Sequence, residues 1–247
     1  MNHVLDRFDP IALEEMSGIK LMNRTDTKFI TTVERLEDLL VKAQSQYFIQ
    51  EINGERNMPY FTRYFDTPDC LMYVSHQNGK KTRQKVRVRS YESTGLAFIE
   101  VKNKNNRGRT KKKRISLEDK DMPFELYNDF LGQHLSYNPE ILLPQIENKF
   151  NRITLVNKDK TERLTIDTSL QLDNMLTGNK ILLDRLVIIE LKRDGNVYSP
   201  IRDIMCDLRI QPQGFSKYCM GMALTNESLK RNRFKERLML LEKMQII

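Results

Sequence analysis

The sequence reads as an α+β protein, with antiparallel strands and helices segregated between them. Three observations predict this. Roughly eight segments alternate polar and apolar residues with period 2. Several are joined by short turns such as Ser93-Thr94-Gly95 and Asn106-Arg107-Gly108. The other ordered segments carry apolar residues at helical spacing. Such strands fit either an open sheet beneath helices or a closed barrel.

Taken in order, a helix is expected over 9–18. Asp9 suits its N-cap, Pro10 its first position and Gly18 its stop. A strand follows at 21–31. Leu36, Leu39, Leu40 and Ala43 predict a helix over 33–47. Strands are expected at 60–66, 84–92, 96–104 and 110–117. Helices are expected at 121–134 and 139–150, each opening near a proline. Strands at 150–157, 162–169 and 184–192 precede a helix that begins near Pro200 and carries Ile201, Ile204, Met205 and Leu208. From Gly214 onward the chain reads as mostly helix. Its basic last part places Leu229, Phe234, Leu238, Leu241 and Met244 near one stripe, expected to pack on the domain.

With 41 Lys+Arg against 33 Asp+Glu, the net charge of +8 points to a polyanionic partner without choosing one. Cys70, Cys206 and Cys219 lack CxxC or metal-type spacing and read as reduced thiols. His3, His76 and His134 are scattered and form no nucleophilic set. The first residues, MNHVLDRFDPIALEEM, place charges where a signal peptide needs an apolar core. Apolar runs such as Leu186–Leu191 fall far short of the roughly 20 residues that span a bilayer. A cytoplasmic protein with no transmembrane segment is therefore expected.

The unusual feature is how ionic the polar strand faces are. Lys85, Arg87 and Arg89 share one face, opposed by Val86 and Val88. Glu100, Lys102 and Lys104 oppose Ala97, Ile99 and Val101, and Lys112 with Arg114 opposes Ile115 and Leu117. Farther along, Arg24, Asp26 and Lys28 alternate against Phe29, and Arg152 against Ile153 and Leu155. Arg163 and Asp167 alternate against Leu164 and Ile166, and Glu190 and Lys192 against Ile189 and Leu191. Such faces either point to water or line a wet cavity completed by an anion. A carboxylate among phosphate-binding cations suits a divalent metal that bridges phosphate oxygens. It equally suits simple neutralisation of its basic neighbours.

The ordered set of motifs resembles one family. It runs from Arg24-Thr25-Asp26-Thr27-Lys28-Phe29, through Arg63-Tyr64-Phe65-Asp66-Thr67-Pro68 with Tyr73, to Val86-Arg87-Val88-Arg89 and Glu100-Val101-Lys102. Lys112-Lys113-Arg114, Arg152, Arg163 before Ile166-Asp167-Thr168, Glu190-Leu191-Lys192 and Phe215-Ser216-Lys217-Tyr218 follow in order. This is similar to the VTC polyphosphate-polymerase domain, a relative of the CYTH and RNA-triphosphatase tunnel enzymes. The similarity runs from about residue 20 to about 222.

The resemblance implies a single domain over 1–247, with its core at about 20–222 and a carboxy-terminal helix beyond. It implies an antiparallel eight-stranded β-tunnel with helices packed outside. It also implies a polyphosphate polymerase that moves the terminal phosphate of ATP onto a growing chain, assisted by manganese or magnesium. Lys28, Arg87, Arg89, Lys102, Arg163 and Lys217 would act on the phosphates during transfer. Arg24, Lys112, Arg114, Arg152, Lys192 and Ser216 would bind substrate, with the register of 111–114 ambiguous by one. Glu190 would hold the metal, with Glu100 as a second carboxylate. ATP or triphosphate and polyphosphate are the expected partners, and a membrane partner protein stays compatible with this reading.

His76-Gln77-Asn78-Gly79-Lys80 departs from the family, replacing a basic position of the eukaryotic enzymes. Neither an SPX-type regulatory domain nor a membrane anchor is expected alongside the motifs. Two alternatives stay open. One is a triphosphatase of the same fold, against which Glu-x-Lys in place of repeated Glu-x-Glu speaks. The other is a binding module for polyphosphate or RNA, and RNA is disfavoured because Phe98 alone among aromatics clearly shares a charged face.

Overall fold

The computed structural model describes residues 1–17, 24–195 and 197–247. Among these, the strands are β1 (Asp9–Ile11), β2 (Arg24–Thr32), β3 (Tyr47–Gln50), β4 (Met58–Asp66), β5 (Arg83–Tyr91) and β6 (Leu96–Lys104). They continue with β7 (Thr110–Leu117), β8 (Leu143–Asn157), β9 (Glu162–Asn174), β10 (Lys180–Leu183) and β11 (Leu186–Asp194). The helices are α1 (Asn2–Leu5), α2 (Leu13–Ser17), α3 (Val33–Ala43), α4 (Leu71–Gln77) and α5 (Asn128–His134). After them come α6 (Pro200–Asp207), α7 (Lys217–Thr225) and α8 (Lys235–Lys243). The architecture is α+β and mostly antiparallel.

The chain separates into two compact units interleaved in sequence. The first holds Met1–Pro59, Phe150–Leu170 and Leu183–Phe215. Its strand order is β2-β11-β9-β8-β3-β1, with β1 parallel to β3. One sheet face is apolar because the alternation of each strand places Phe29, Leu164, Ile166, Ile189 and Leu191 there. These bury against Leu36, Leu39, Leu40 and Ala43 of α3 and Ile201, Ile204 and Met205 of α6. Truncating one such leucine to alanine costs about 2–5 kcal/mol.

The second unit holds Tyr60–Lys149, Gln171–Leu182 and Ser216–Ile247. Its strands run from the start of β8 through β4, β5 and β6 to β7. Val86, Val88, Ala97, Ile99 and Val101 bury one face under Leu131 of α5. β7 is the outermost strand and is exposed on nearly every residue. Its lysines suit an edge that must not pair with another chain. Neither strand order closes on itself among the described residues, so the tunnel expected from the resemblance is not reproduced as eight closed strands.

Several expectations change. Asp9 and Pro10 do not open a helix. They form β1, paired Asp9 to Phe48, because Ile11 buries with Val156 and Met16. The helix starts later, where the Glu15 carboxylate accepts from Ala12 N at 3.1 Å; the proposed stop, Gly18, lies outside the described residues. α3 ends at Ala43, since Tyr47 begins β3 and donates to Glu162. The helix expected over 139–150 is only a 3-10 turn at Pro139–Ile141, followed by the long strand β8, in which Ile146 and Phe150 are buried. The segment at 121–134 is a 3-10 turn leading into α5. The carboxy-terminal helix is interrupted between Thr225 and Asn232. β1, β3 and β10 were not foreseen.

Candidate functional site

In the first unit the charged cluster sits on the face opposite the apolar core. Register places Lys28 opposite Glu190 and Asp26 opposite Lys192, and on the other side of β11 sets Thr165 opposite Glu190 and Arg163 opposite Lys192. The Glu190 carboxylate lies 3.1 Å from Lys192 Nζ and 3.5 Å from Lys28 Nζ. Lys28 also donates to the carbonyl of Phe215 at 3.3 Å. Arg152 grips Asp167 with two bonds, 2.6 and 2.8 Å, and stacks over Phe150.

Burial alone would raise the Glu190 carboxyl, but Lys28, Lys192 and Arg152 outweigh it and hold it well below the usual carboxylate range. Burial pulls the Lys192 ammonium down; Glu190 opposes this, while Arg152 and Arg163 add to it. The face therefore joins Lys28, Arg152, Arg163 and Lys192 with the carboxylates of Asp26, Asp167 and Glu190, the last of them partly exposed. Arg24 heads β2 opposite Asp194, and its side chain lies outside the described residues.

In the second unit, Arg87 stands opposite Glu100, and Glu100 opposite Arg114. Both oxygens of the fully buried Glu100 are engaged. One accepts from Arg87 Nε at 2.7 Å and from its terminal nitrogen, and the other from Lys112 Nζ at 3.0 Å. Burial would raise this carboxyl as well, but Arg87, Arg89 and Lys112 drive it far below its ordinary value. The pairing settles the register of β7: Lys112 and Arg114 share the face of Glu100 and Lys102. Arg114 covers the Phe98 ring at 4.6 Å, and Arg89 lies 5.9 Å from that of Tyr60.

This face is braced by residues not singled out as site residues. Arg87 donates to Tyr64 Oη at 3.2 Å, and Tyr64 stacks on Tyr218 at 5.3 Å. Tyr218 donates to Asp66, which also accepts from the backbone of Thr67, Met72 and Tyr73. Thus the Tyr64-Phe65-Asp66-Thr67-Pro68 and Phe215-Ser216-Lys217-Tyr218 motifs meet through Asp66. Ser216 caps α7 by accepting from Cys219 N at 3.2 Å and also accepts from Lys85 Nζ at 2.8 Å. Lys217 opens α7. The signal for Tyr64 and Lys85 was in the sequence: both fall on the charged face once strand register is known.

The expected site residues thus form two groups. Lys28, Arg152, Arg163, Glu190 and Lys192 belong to the first unit. Arg87, Arg89, Glu100, Lys102, Lys112, Arg114, Ser216 and Lys217 belong to the second. Among the described residues, no three His, Cys, Asp or Glu side chains are grouped to hold a metal. Glu190, partly exposed, fits a hard cation whose other ligands are water and substrate oxygens. Glu100 does not fit that task here, because it is fully buried and a cation would have to displace the buried Arg87 guanidinium as well as Lys112. No helix among the described residues is long and apolar enough to cross a membrane.

No curated protein matches the chain. Among solved structures, a Hippeastrum protein, HpAC1, is described as an adenylyl cyclase candidate with a dominant triphosphatase activity. It aligns at 11% identity over 83% of this chain and 97% of its own, with a TM-score of 0.49. The PH1819 protein of Pyrococcus horikoshii OT3 aligns at 11% identity over 81% and 98%, with a TM-score of 0.45. The PH1012 protein of the same organism aligns at 14% identity over 77% and 97%, with a TM-score of 0.42. The family model of the VTC domain matches residues 23–226, close to the span over which the motifs run in order. With most of its length matched in this way, the chain belongs to the VTC domain family.

Proposed function

We propose that the chain is a metal-dependent phosphotransferase that moves the terminal phosphate of ATP onto a polyphosphate chain. Membership of the VTC family supports a role in phosphate transfer or triphosphate hydrolysis. The observation that carries the finer reading is the Glu190 carboxylate, partly exposed among Lys28, Lys192 and Arg152. The closed eight-stranded tunnel belongs to the same proposal and is supported by the family resemblance.

Phosphoryl transfer asks for positioning and charge neutralisation more than for a protein nucleophile. Arginines grip phosphate oxygens in pairs, and lysines act as point charges. An ionised terminal oxygen of the acceptor chain attacks the γ-phosphorus of ATP. A new P–O bond forms, the bond to the bridging oxygen breaks, and ADP carries away the electron pair. No proton needs to be removed, so the step asks for no protein nucleophile. Glu190 would hold a divalent cation, which supplies neutralisation of phosphate charge when bound. Lys28 and Lys192 keep Glu190 ionised and oriented, and Arg163, Arg87, Arg89 and Lys102 bind phosphate oxygens. Arg24, Arg152, Arg114, Ser216 and Lys217 complete the substrate-binding set, and Lys112 with Glu100 fixes the Arg87 guanidinium.

Purified protein supplied with ATP and manganese or magnesium tests this reading. Turnover is expected to need the metal and to fall about 100-fold or more in Glu190→Ala. The melting temperature of that variant should stay within a few degrees of wild type, because Glu190 contributes no core packing. Undiminished turnover in Glu190→Ala would overturn the assignment.

A further inference from the structure

Strand register gathers three aromatic rings, not Phe98 alone, at one end of the ionic face in the second unit. Tyr60 pairs with Tyr91 across β4 and β5, and Phe98 of β6 stands opposite Arg89. The rings of Tyr60 and Tyr91 lie 4.9 Å apart at 63°, and those of Tyr91 and Phe98 5.9 Å apart at 89°. All three are half-buried, at the margin of the face and outside the core. Arg89 approaches the Tyr60 ring and Arg114 the Phe98 ring. Cross-strand aromatic pairs stabilise a sheet by themselves, so the rings alone do not imply a ligand.

A second observation does point to one. Thr62 lies between Tyr60 and Tyr64 on the same face, opposite Arg89, and is fully buried. On the neighbouring strand β8, Glu147 turns to the other face, where it accepts from Arg63 at 2.6 Å. Asn148 therefore turns to the face of Thr62, and it is 1% exposed. Among the described residues, the Thr62 hydroxyl and both amide atoms of Asn148 have no hydrogen-bond partner. Buried polar atoms are ordinarily paired, and leaving three unpaired on one face costs stability unless a ligand satisfies them. Together they offer a hydroxyl, an amide donor and a carbonyl acceptor.

The order along the strands matches one chemical class. Tyr91 and Arg87 are four residues apart on β5, about 13 Å at the usual strand rise. A base stacked on the rings leaves its ribose, whose hydroxyls both donate and accept, at the level of Thr62 and Asn148. Its triphosphate then extends past Arg89 toward Arg87 and Lys102. Inorganic triphosphate held by the same cations reaches neither the rings nor the amide. A strand of RNA asks for successive platforms, one for each base, whereas these rings touch edge to face in one cluster that serves a single base.

We propose that Tyr60, Tyr91 and Phe98 form the base platform of a nucleoside site in which Thr62 and Asn148 bind the sugar hydroxyls. The site selects a nucleoside triphosphate over inorganic triphosphate as the phosphate donor. This rests on the phosphotransfer reading above and names the residues that set its donor specificity.

The test is equilibrium titration with ATP and with tripolyphosphate at fixed magnesium and salt. In Tyr91→Leu/Phe98→Leu, ATP should lose about 10-fold in affinity and tripolyphosphate less than about 2-fold. Should that double variant fail to fold, Tyr91→Leu alone, at a half-buried position, should cost ATP about 3-fold with the same indifference of tripolyphosphate. Thr62→Val/Asn148→Leu should weaken ATP about 5-fold and leave tripolyphosphate unchanged. Without nucleotide this second variant should melt at or above wild type, because unpaired buried polar atoms are removed.

Equal loss for both ligands, or no loss of ATP binding in either variant, would overturn the proposal. So would a Thr62→Val/Asn148→Leu variant that loses stability without nucleotide yet binds ATP as wild type does, since buried water would then be the partner of those atoms. RNA without a triphosphate end, binding as tightly as ATP and with the same dependence on the rings, would overturn it as well. A wild type that neither binds nor consumes ATP defeats this site and the phosphotransfer reading together. A wild type that consumes ATP, with variants that lose nothing, defeats this site alone.

Discussion

At the residue scale, what distinguishes the two glutamates is exposure: each carboxylate is paired through both oxygens, but the Glu190 side chain stays 24% exposed whereas that of Glu100 is fully buried. The two motifs, Glu100-Val101-Lys102 and Glu190-Leu191-Lys192, look equivalent, and both were expected as metal ligands. Register contributes to this: Glu100 lies between Arg87 and Arg114 on adjacent strands and bonds the buried Arg87 with Lys112, whereas Glu190 lies between Lys28 and Thr165 and pairs with two lysines. That distinction was not legible in sequence, because cross-strand partners depend on pairing rather than on local spacing. Replacing Glu100 with Gln leaves the buried Arg87 guanidinium without a counter-charge, and about 3 kcal/mol of stability should be lost at pH 7. The pH dependence carries a sign. A carboxyl held below its unfolded value of 4.5 contributes stability that is full above that pH and lost as pH falls through the folded value. Chemical denaturation from pH 7 to pH 3 should therefore show wild type and Glu100→Gln converging as the medium turns acidic. A gap that stays constant over this range would show that the charge of Glu100 does not stabilise the fold.

At the scale of elements, the strands β5, β6, β7 and β11 were readable from alternation, since each buries one face and leaves the other ionic. β8 was not readable. Ile141, Leu142, Ile146 and Phe150 satisfy a helical spacing, and only pairing with neighbouring strands decides for the extended form. The helix α4 shows how a motif with no chemistry of its own supports the site. Asp66 accepts from the backbone of Met72 and Tyr73 in its first turns, and Tyr218 of α7 donates to the same carboxylate. Burial raises the Asp66 carboxyl, and these bonds pull back against that rise. Asp66→Ala should cost at least about 3 kcal/mol, since several buried donors lose their acceptor. Hydrogen exchange should show the amides of Met72 and Tyr73 losing protection ahead of those in β5. Protection unchanged at both positions would mean that α4 does not depend on this cap.

At the scale of the whole molecule, the excess of positive charge is concentrated on strand faces. Each unit carries its own set of cations around a glutamate, Glu190 in the first and Glu100 in the second. The order of the motifs was legible along the chain, and the family match over residues 23–226 agrees with it. The sequestration of Glu100 between Arg87 and Lys112 required the folded chain. The most direct measurement of the central claim is the fate of the γ-phosphate of ATP. With γ-labelled ATP and manganese, the account predicts label in acid-insoluble polyphosphate, one phosphate for each ADP formed, and none of this in Glu190→Ala. Label released entirely as orthophosphate, in step with ADP and with no chain, would contradict it and make the protein a triphosphatase.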